Sequence, residues 1–556
     1  MFKIYKKPNL KSIAVFIIAL STFSCQKTNT GMDNGIYPND RTPAAVKFLS
    51  PRVSPVSGAP GITVTVPVSG LEGKQGQFKA FIGATEAPVT GVSATAITIL
   101  VPPAASTGNI TIQLNSQFFY GPNFNVAGKV YIDPDFNISA NQATGVFSSV
   151  RGIVPYGDSY IVYGTFTKYG SVSCPGLAYI DNNGTTGSYQ PYFGPENSLK
   201  LSPANITSIA PLDDGNFLMG GGFNSVVDKS GRTIGNLNGI ARLFTNGDED
   251  MIEVQQYRVP NADAFNFPER SWVTGSSVNG GAEGGAVLKV FATDDGAHYI
   301  AVGNFSKYVT TYYPGSQWNS QQQDRIAMKQ LFSMGTDGSF DSSFNYNYAT
   351  KASYAATNAL INDATQASDG NIVIVGSFTT YNDAAANRIV KIDAYTGKKD
   401  PTFNTGSGFD GLVTSIKYNA NTHRYLVTGL FKSYNGVPAN NVVMLKEDGS
   451  VDVTFSVKGF GNGAPTFVKQ LNNGLIICAG TFTMYDGVSR PGFSILNVDG
   501  SLAAGYNNTG NFNGSITDVI ETTSKLTGQH AVFLVGSFSR FDATAVSNIV
   551  KVVIED

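Results

Sequence analysis

Charge, cysteine and histidine are all scarce in this chain of 556 residues. Charged residues make up 14% of it, against roughly 25% in an average globular protein. Its 38 basic and 40 acidic side chains leave a formal net charge of −2. Such a balance excludes a highly charged disordered chain, a coiled coil and a basic nucleic-acid binder. With 3 Cys there is no disulfide scaffold, and 3 His argue against a His-rich metal site. Glycine is plentiful instead, at 61 residues, and aromatics reach 12%. That mixture predicts many short strands joined by Gly, Asn and Asp turns. At roughly 100–200 residues per domain, the length predicts several domains or one large repeat domain.

The first 24 residues read as an address. Lys3, Lys6, Lys7 and Lys11 form a basic region, and Ile13 to Leu20 an apolar one. A bilayer needs about 20 apolar residues, so this run is a secretory signal rather than a span. Ser24 then precedes Cys25, and the pattern resembles the bacterial lipoprotein signal, in which the Cys becomes the lipidated first residue. Thr22 and Phe23 depart from the aliphatic and small residues preferred there. The resemblance implies lipidation at Cys25 and an outer-membrane lipoprotein held by its lipid alone. It sits at the cell surface, or on the periplasmic side, since the sequence does not decide the leaflet. Residues 25–45, rich in Asn, Thr and Pro, read as a flexible tether. Cys174 and Cys478 flank or end strand-like runs and read as buried small hydrophobes; a bond between them is the alternative.

Residues 46–127 read as a small β-sandwich. Ile62-Thr63-Val64-Thr65-Val66, Ala96-Ile97-Thr98-Ile99-Leu100 and Asn109 to Leu114 each alternate with period two, which puts apolar groups on one face of a strand. Ser54-Pro55-Val56-Ser57-Gly58, Phe81-Ile82-Gly83, Val101-Pro102-Pro103 and Gly108 make the segment similar to the Ig-like IPT/TIG family. That likeness implies a spacer or interaction module, and no catalytic constellation stands here.

From residue 128 onward one unit repeats. Gly-x-Phe follows an apolar run at Gly164/Phe166, Gly221/Phe223, Gly303/Phe305, Gly376/Phe378, Gly429/Phe431, Gly480/Phe482 and Gly536/Phe538. Successive Phe lie 57, 82, 73, 53, 51 and 56 residues apart by difference. The clearest copy runs from Asp369-Gly370 through Ile372–Gly376, Phe378 and Ile389–Ile392 to Asp400-Pro401-Thr402-Phe403. The Asp-Gly turn, two apolar strands and a closing element make one small sheet, and Gly beside Phe lets backbones approach while the ring fills space. One such sheet buries too little alone, so copies must stack. Radial stacking of seven copies predicts a seven-bladed β-propeller over residues 128–556. The repeats, with Asp-Gly-Ser turns at Asp337, Asp448 and Asp499, resemble the delta-60 repeat family of bacterial surface and secreted proteins. The expected fold class is therefore all-β, an Ig-like sandwich followed by a propeller. The last copy lacks the closing Asp-x-x-Phe element, whereas Asp133-Pro134-Asp135-Phe136 precedes the first. Residues 128–138 are therefore expected to close the last blade.

Candidate chemistry is thin. His298, His423 and His530 lie near hairpin turns of different copies, where a catalytic triad or metal site does not assemble readily. Asp248, Glu249 and Asp250, or Asp294 and Asp295, are the carboxylate pairs a glycosidase would need; in turn sequence they read as solvated. No phosphate loop is present, and no cofactor or metal is expected. Arg242, Arg325 and Arg388 occur in only some copies and read as ion-pair or inter-blade partners. The long copies hold Trp272, Tyr312, Tyr313 and Trp318. Insertions in a repeat ring map to loops on one face, so these rings either stack on a ligand or cap a blade edge. The leading expectation is a non-enzymatic surface module presenting a propeller face to glycan. A polysaccharide hydrolase or lyase and a protein-adhesion scaffold are the alternatives. The hydrolase requires clustered channel carboxyls with one pKa raised.

Overall fold

The chain is described as a computed structural model over residues 45–145, 147–186, 200–202, 205–227, 233–244, 248–257, 270–317 and 320–555. Strands dominate, and among the described residues the one helical element is a 3-10 turn at Tyr313–Gly315.

Two sheets form the first domain. Thr63–Ser69, Ala96–Leu100 and Val89–Val92 lie side by side in one, and Gln117–Val126, Gly108–Leu114, Phe78–Ile82 and Thr85–Ala87 in the other. Alternation sends Val64, Val66, Ile97, Ile99, Ile110 and Ile112 inward, all buried. Between the sheets this apolar set is withdrawn from water, the main favourable term in folding.

Seven sheets of one order follow among the described residues, each with a first strand, a central second strand and a third. We number them as blades by their first strands: blade 1, Val150–Tyr156; blade 2, Ile206–Pro211; blade 3, Val287–Ala292; blade 4, Ile361–Gln366; blade 5, Leu412–Asn419; blade 6, Pro465–Gln470; blade 7, Asn513–Thr523. Every first strand carries a bulge near its start. A bulge frees one residue from the ladder and re-aims it, and several of these residues reach the next blade. Thr207 Oγ1 donates to Val287 O at 2.7 Å, Asn362 Nδ2 to Val413 O at 2.7 Å, and Thr517 Oγ1 to Val150 O at 2.7 Å. The last of these joins blade 7 to blade 1, so the ring is closed.

The Gly-x-Phe motif has one job in all seven blades. Its Gly N–H donates to, and its Phe carbonyl accepts from, a single residue just before the third strand: Gly176, Gly239, Gln330, Arg388, Asn441, Gly492 or Asn548. Each of those residues has positive φ. A Cβ on the motif glycine would lie 2.1–2.3 Å from a carbonyl oxygen in, or just before, the first strand of every blade, so only glycine permits the approach. Three residues past the Phe, a tyrosine hydroxyl often ties the turn after the third strand. Tyr169 donates to Gly184 O at 2.7 Å, Tyr381 to Gly397 O at 2.5 Å and Tyr434 to Gly449 O at 2.7 Å.

Blade 7 takes its fourth strand from far away in sequence. Val130–Ile132 runs antiparallel to Ile549–Ile554, with Val130 opposite Ile554. Behind it Lys551 and Asp133 form a fully buried ion pair at 3.1 Å. Asp133 also accepts from Ser524 Oγ, and Lys551 donates to Thr523 O. Asn508 grips the backbone of Val130 at both N–H and C=O, while its amide reaches Val126 O. Thr107 N donates to Asn508 O at 2.8 Å, and the buried Arg490 to Ala104 O at 3.1 Å. The sandwich is thus hydrogen-bonded onto blades 6 and 7. Cys174 and Cys478 are both free and buried; burial pushes both thiols up, Cys174 to about 12.

Candidate binding faces of the propeller

The channel side of the ring is tied by charge pairs. Asp363, on the first strand of blade 4, lies 3.7 Å from Lys289 of blade 3 and 3.4 Å from Lys417 of blade 5. It also accepts from Ser415 Oγ and Ile416 N. Burial alone would raise this carboxyl, but the two ammonium groups and these donors outweigh it and hold it below the usual range. A carboxyl kept ionised in this way joins three blades and cannot serve as a general acid at neutral pH.

A concavity of about 850 Å³ lies on the other end of the blades, where first and second strands turn. Its lining combines the turns of blades 2 and 3 with the foot of an inserted hairpin, Met251–Tyr257 paired with Arg270–Ser276. Six aspartates face it, Asp213, Asp214, Asp250, Asp294, Asp295 and Asp337, with one cation, Arg242. Arg242 bridges two of them, Asp250 at 2.5 Å and Asp214 in still closer contact. Asp214, despite desolvation, is held low by Asn216 and Arg242; the Thr293 hydroxyl does the same for Asp295, and Ser339 for Asp337. None of these three is poised as an acid catalyst.

The sequence reading of 248–250 as a solvated turn is corrected here. Glu249 and Asp250 are buried. The backbone of Glu249 bridges Leu243 in the third strand of blade 2, and Asp250 is sequestered because Arg242 neutralises it. Arg242 joins groups of its own blade, Arg325 pairs with Glu283 at 2.6 Å, and Arg388 reaches Phe409 O beside blade 5 at 2.5 Å. His423 sits by Tyr418 and Glu447, and His530 by Glu521 at 3.0 Å. These are separate blades, and among the described residues no group of His, Cys, Asp and Glu is arranged to hold a metal.

The aromatic candidates fall in two places. Trp272 is 64% exposed on the hairpin, opposite Gln255. Tyr313 packs against the hairpin at Gly275, where a Cβ would lie 2.6 Å from its hydroxyl. Burial raises the Tyr313 phenol, with the Glu249 charge adding to it. Since side chains alternate along a strand, Trp272 lies on the hairpin face opposite Gly275 and Tyr313. Tyr312 is 49% exposed. Trp318 and Cys25 lie outside the described residues.

Comparison with known families places two parts of the chain. Residues 49–126 match the IPT/TIG domain. Residues 367–403 and 424–455 match the family described as "Domain of unknown function (DUF5122) beta-propeller". The chain combines an IPT/TIG domain with a β-propeller. That combination fits a non-enzymatic surface or binding protein. No curated protein matches the sequence. Among solved structures the IPT/TIG–propeller chain is similar to a protein of unknown function from Bacteroides thetaiotaomicron VPI-5482, with 10% identity, a TM-score of 0.26, and coverage of 93% of this chain and 99% of that one. It is also similar to the WD40 β-propeller domain of Doa1, with 14% identity, a TM-score of 0.35, and coverage of 76% and 97%. A third likeness is to the computationally designed Ika8 protein, with 11% identity, a TM-score of 0.34, and coverage of 75% and 100%. At these levels none of the three carries a functional argument.

Proposed function

We propose that this protein is a lipid-anchored surface module that binds glycan through the blade 2–3 end of its propeller. The observation that carries the reading is the 850 Å³ cavity at the foot of an inserted hairpin whose other face carries the exposed Trp272. Carboxylates and the Gln366 side-chain carbonyl offer the hydrogen-bond partners that sugar hydroxyls need, and an indole face offers apolar surface to a pyranose ring. Six aspartates against one Arg repel polyanions, so neutral or amino sugars suit the cavity and uronates do not. The carboxyls held low favour binding over hydrolysis. The address at Lys3 to Cys25 supports a lipid anchor at Cys25.

Affinity electrophoresis through gels of neutral and uronic polysaccharides tests the reading. The protein should be retarded by at least one neutral polysaccharide and less by any polyuronate, and Trp272→Ala should reduce retardation without product release. Retardation that is unchanged in Trp272→Ala, or none on any glycan, contradicts it. Shortened oligosaccharides would identify an enzyme instead.

A further inference from the structure

A second groove lies at the opposite end of the blades, where blade 7 meets blade 1. It holds about 450 Å³ and is lined by Thr144, Ser148, Asn513, Ser537, Ser547 and Asn548, with Gly145, Gly514 and Phe538 among the rest. No lining residue is charged. Asn548 is committed to the seam, donating to Ala143 O at 2.7 Å and Ser148 Oγ at 2.9 Å while accepting from Phe538 N. At the matching position of blades 3 and 4 stand longer side chains, Gln330 and Arg388, which reach Ala359 O and Phe409 O of the next blade. The shorter Asn548 leaves room where those fill it. Gly145 and Gly514 both have positive φ, 137° and 135°, and add no side chain to obstruct the opening.

Phe147 stands at the rim, between the lining residues Gly145 and Ser148. Its ring is 93% exposed, and its φ is +56°, a left-handed conformation that is costly for a bulky residue. Folding would gain by turning this ring inward; it is held outward instead. Around it the hydroxyls of Thr144, Ser537 and Ser547 have no hydrogen-bond partner within the described residues, and all three are at least partly exposed.

We infer that this groove is a second carbohydrate site, taking a neutral oligosaccharide with one sugar ring stacked on Phe147. A flat apolar ring beside uncommitted hydroxyls matches the two faces of a pyranose, one of C–H and the other of O–H. No lining residue offers an ion pair to a uronate, a sulfate or a basic peptide. Its volume suits a small ligand, whereas a stable protein interface takes about 800 Å² from each partner. The site shares no residue with the hairpin and stands apart from the cavity at blades 2 and 3.

Titration calorimetry with maltotetraose, cellotetraose, xylotetraose and mannotetraose, with tetragalacturonate as the charged control, tests this. Wild type, Phe147→Ala, Phe147→Tyr, Ser547→Ala and Trp272→Ala are compared after thermal melts confirm equal midpoints. At least one neutral tetrasaccharide should bind, about tenfold more weakly to Phe147→Ala and with wild-type affinity to Phe147→Tyr, while Ser547→Ala weakens it about threefold. Trp272→Ala should retain this binding. Neutral binding by Trp272→Ala that is unchanged when Phe147→Ala is added overturns the inference, as does no neutral binding at all. Loss in Trp272→Ala alone overturns it too, while leaving the hairpin reading intact.

Discussion

At the scale of single residues, backbone geometry and charge decide most of what is seen. The motif glycines were legible because the same close approach recurs seven times, and only glycine tolerates it. Their left-handed partners were not. The requirement there is a sign of φ, which Gly, Asn, Gln and Arg all meet, so no one letter repeats. Phe147 was invisible for a related reason, since no neighbouring letter reports the positive φ that accompanies its exposed ring. Glu249 and Asp250 read as turn residues because Asn246-Gly247-Asp248 precedes them; nothing local shows that Arg242 draws Asp214 and Asp250 together. Asp363 carries a prediction. Its folded pKa lies below the unfolded carboxylate value of about 3.9, so its ion pairs stabilise the fold above that pH, and the contribution disappears as pH falls through the folded value. Asp363→Asn should lower stability at pH 7 by about 1–3 kcal/mol, because Lys289 and Lys417 lose their partner. It should also flatten the loss of stability between pH 4 and the acid transition. Urea melts across pH check this, and parallel pH profiles for the two proteins would contradict it.

At the scale of elements, the repeat explains the ring and one segment completes it. Residues Val130–Ile132 supply the outer strand of blade 7 although they precede blade 1, and Asn508 and the Lys551–Asp133 pair hold them there. This arrangement turns a row of sheets into a closed body in which an opening at the seam costs the ion pair and the strand together. Removing one partner of a buried pair typically costs about 3–5 kcal/mol. Deletion of 129–138 is therefore expected to replace one cooperative thermal transition with a broad, lower one. A truncated protein that melts sharply at the wild-type temperature would show that the segment does not hold the ring. The same element shows how far sequence carried. The spare Asp-x-x-Phe piece was legible as a missing part of a pattern; the buried pair behind it was not, because Lys551 and Asp133 are 418 positions apart.

For the whole molecule, the two ends of the propeller differ in chemistry, and the difference follows from where the repeat is interrupted. The insertions of blades 2 and 3 give an acidic cavity at the foot of a hairpin; the seam between blades 7 and 1 gives a neutral groove. The Ig-like domain is fastened to blades 6 and 7 and so moves with the ring rather than as a loose spacer. The central claim is that the blade 2–3 end receives glycan. Hydrogen exchange followed by mass spectrometry, on the protein with and without the neutral polysaccharide that retards it most, tests this most directly. The account predicts slowed exchange in 251–257, 270–276 and 290–296, with the sandwich sheets unchanged. Protection confined to residues 48–126, or no change at the hairpin and cavity while the polysaccharide is bound, would contradict it.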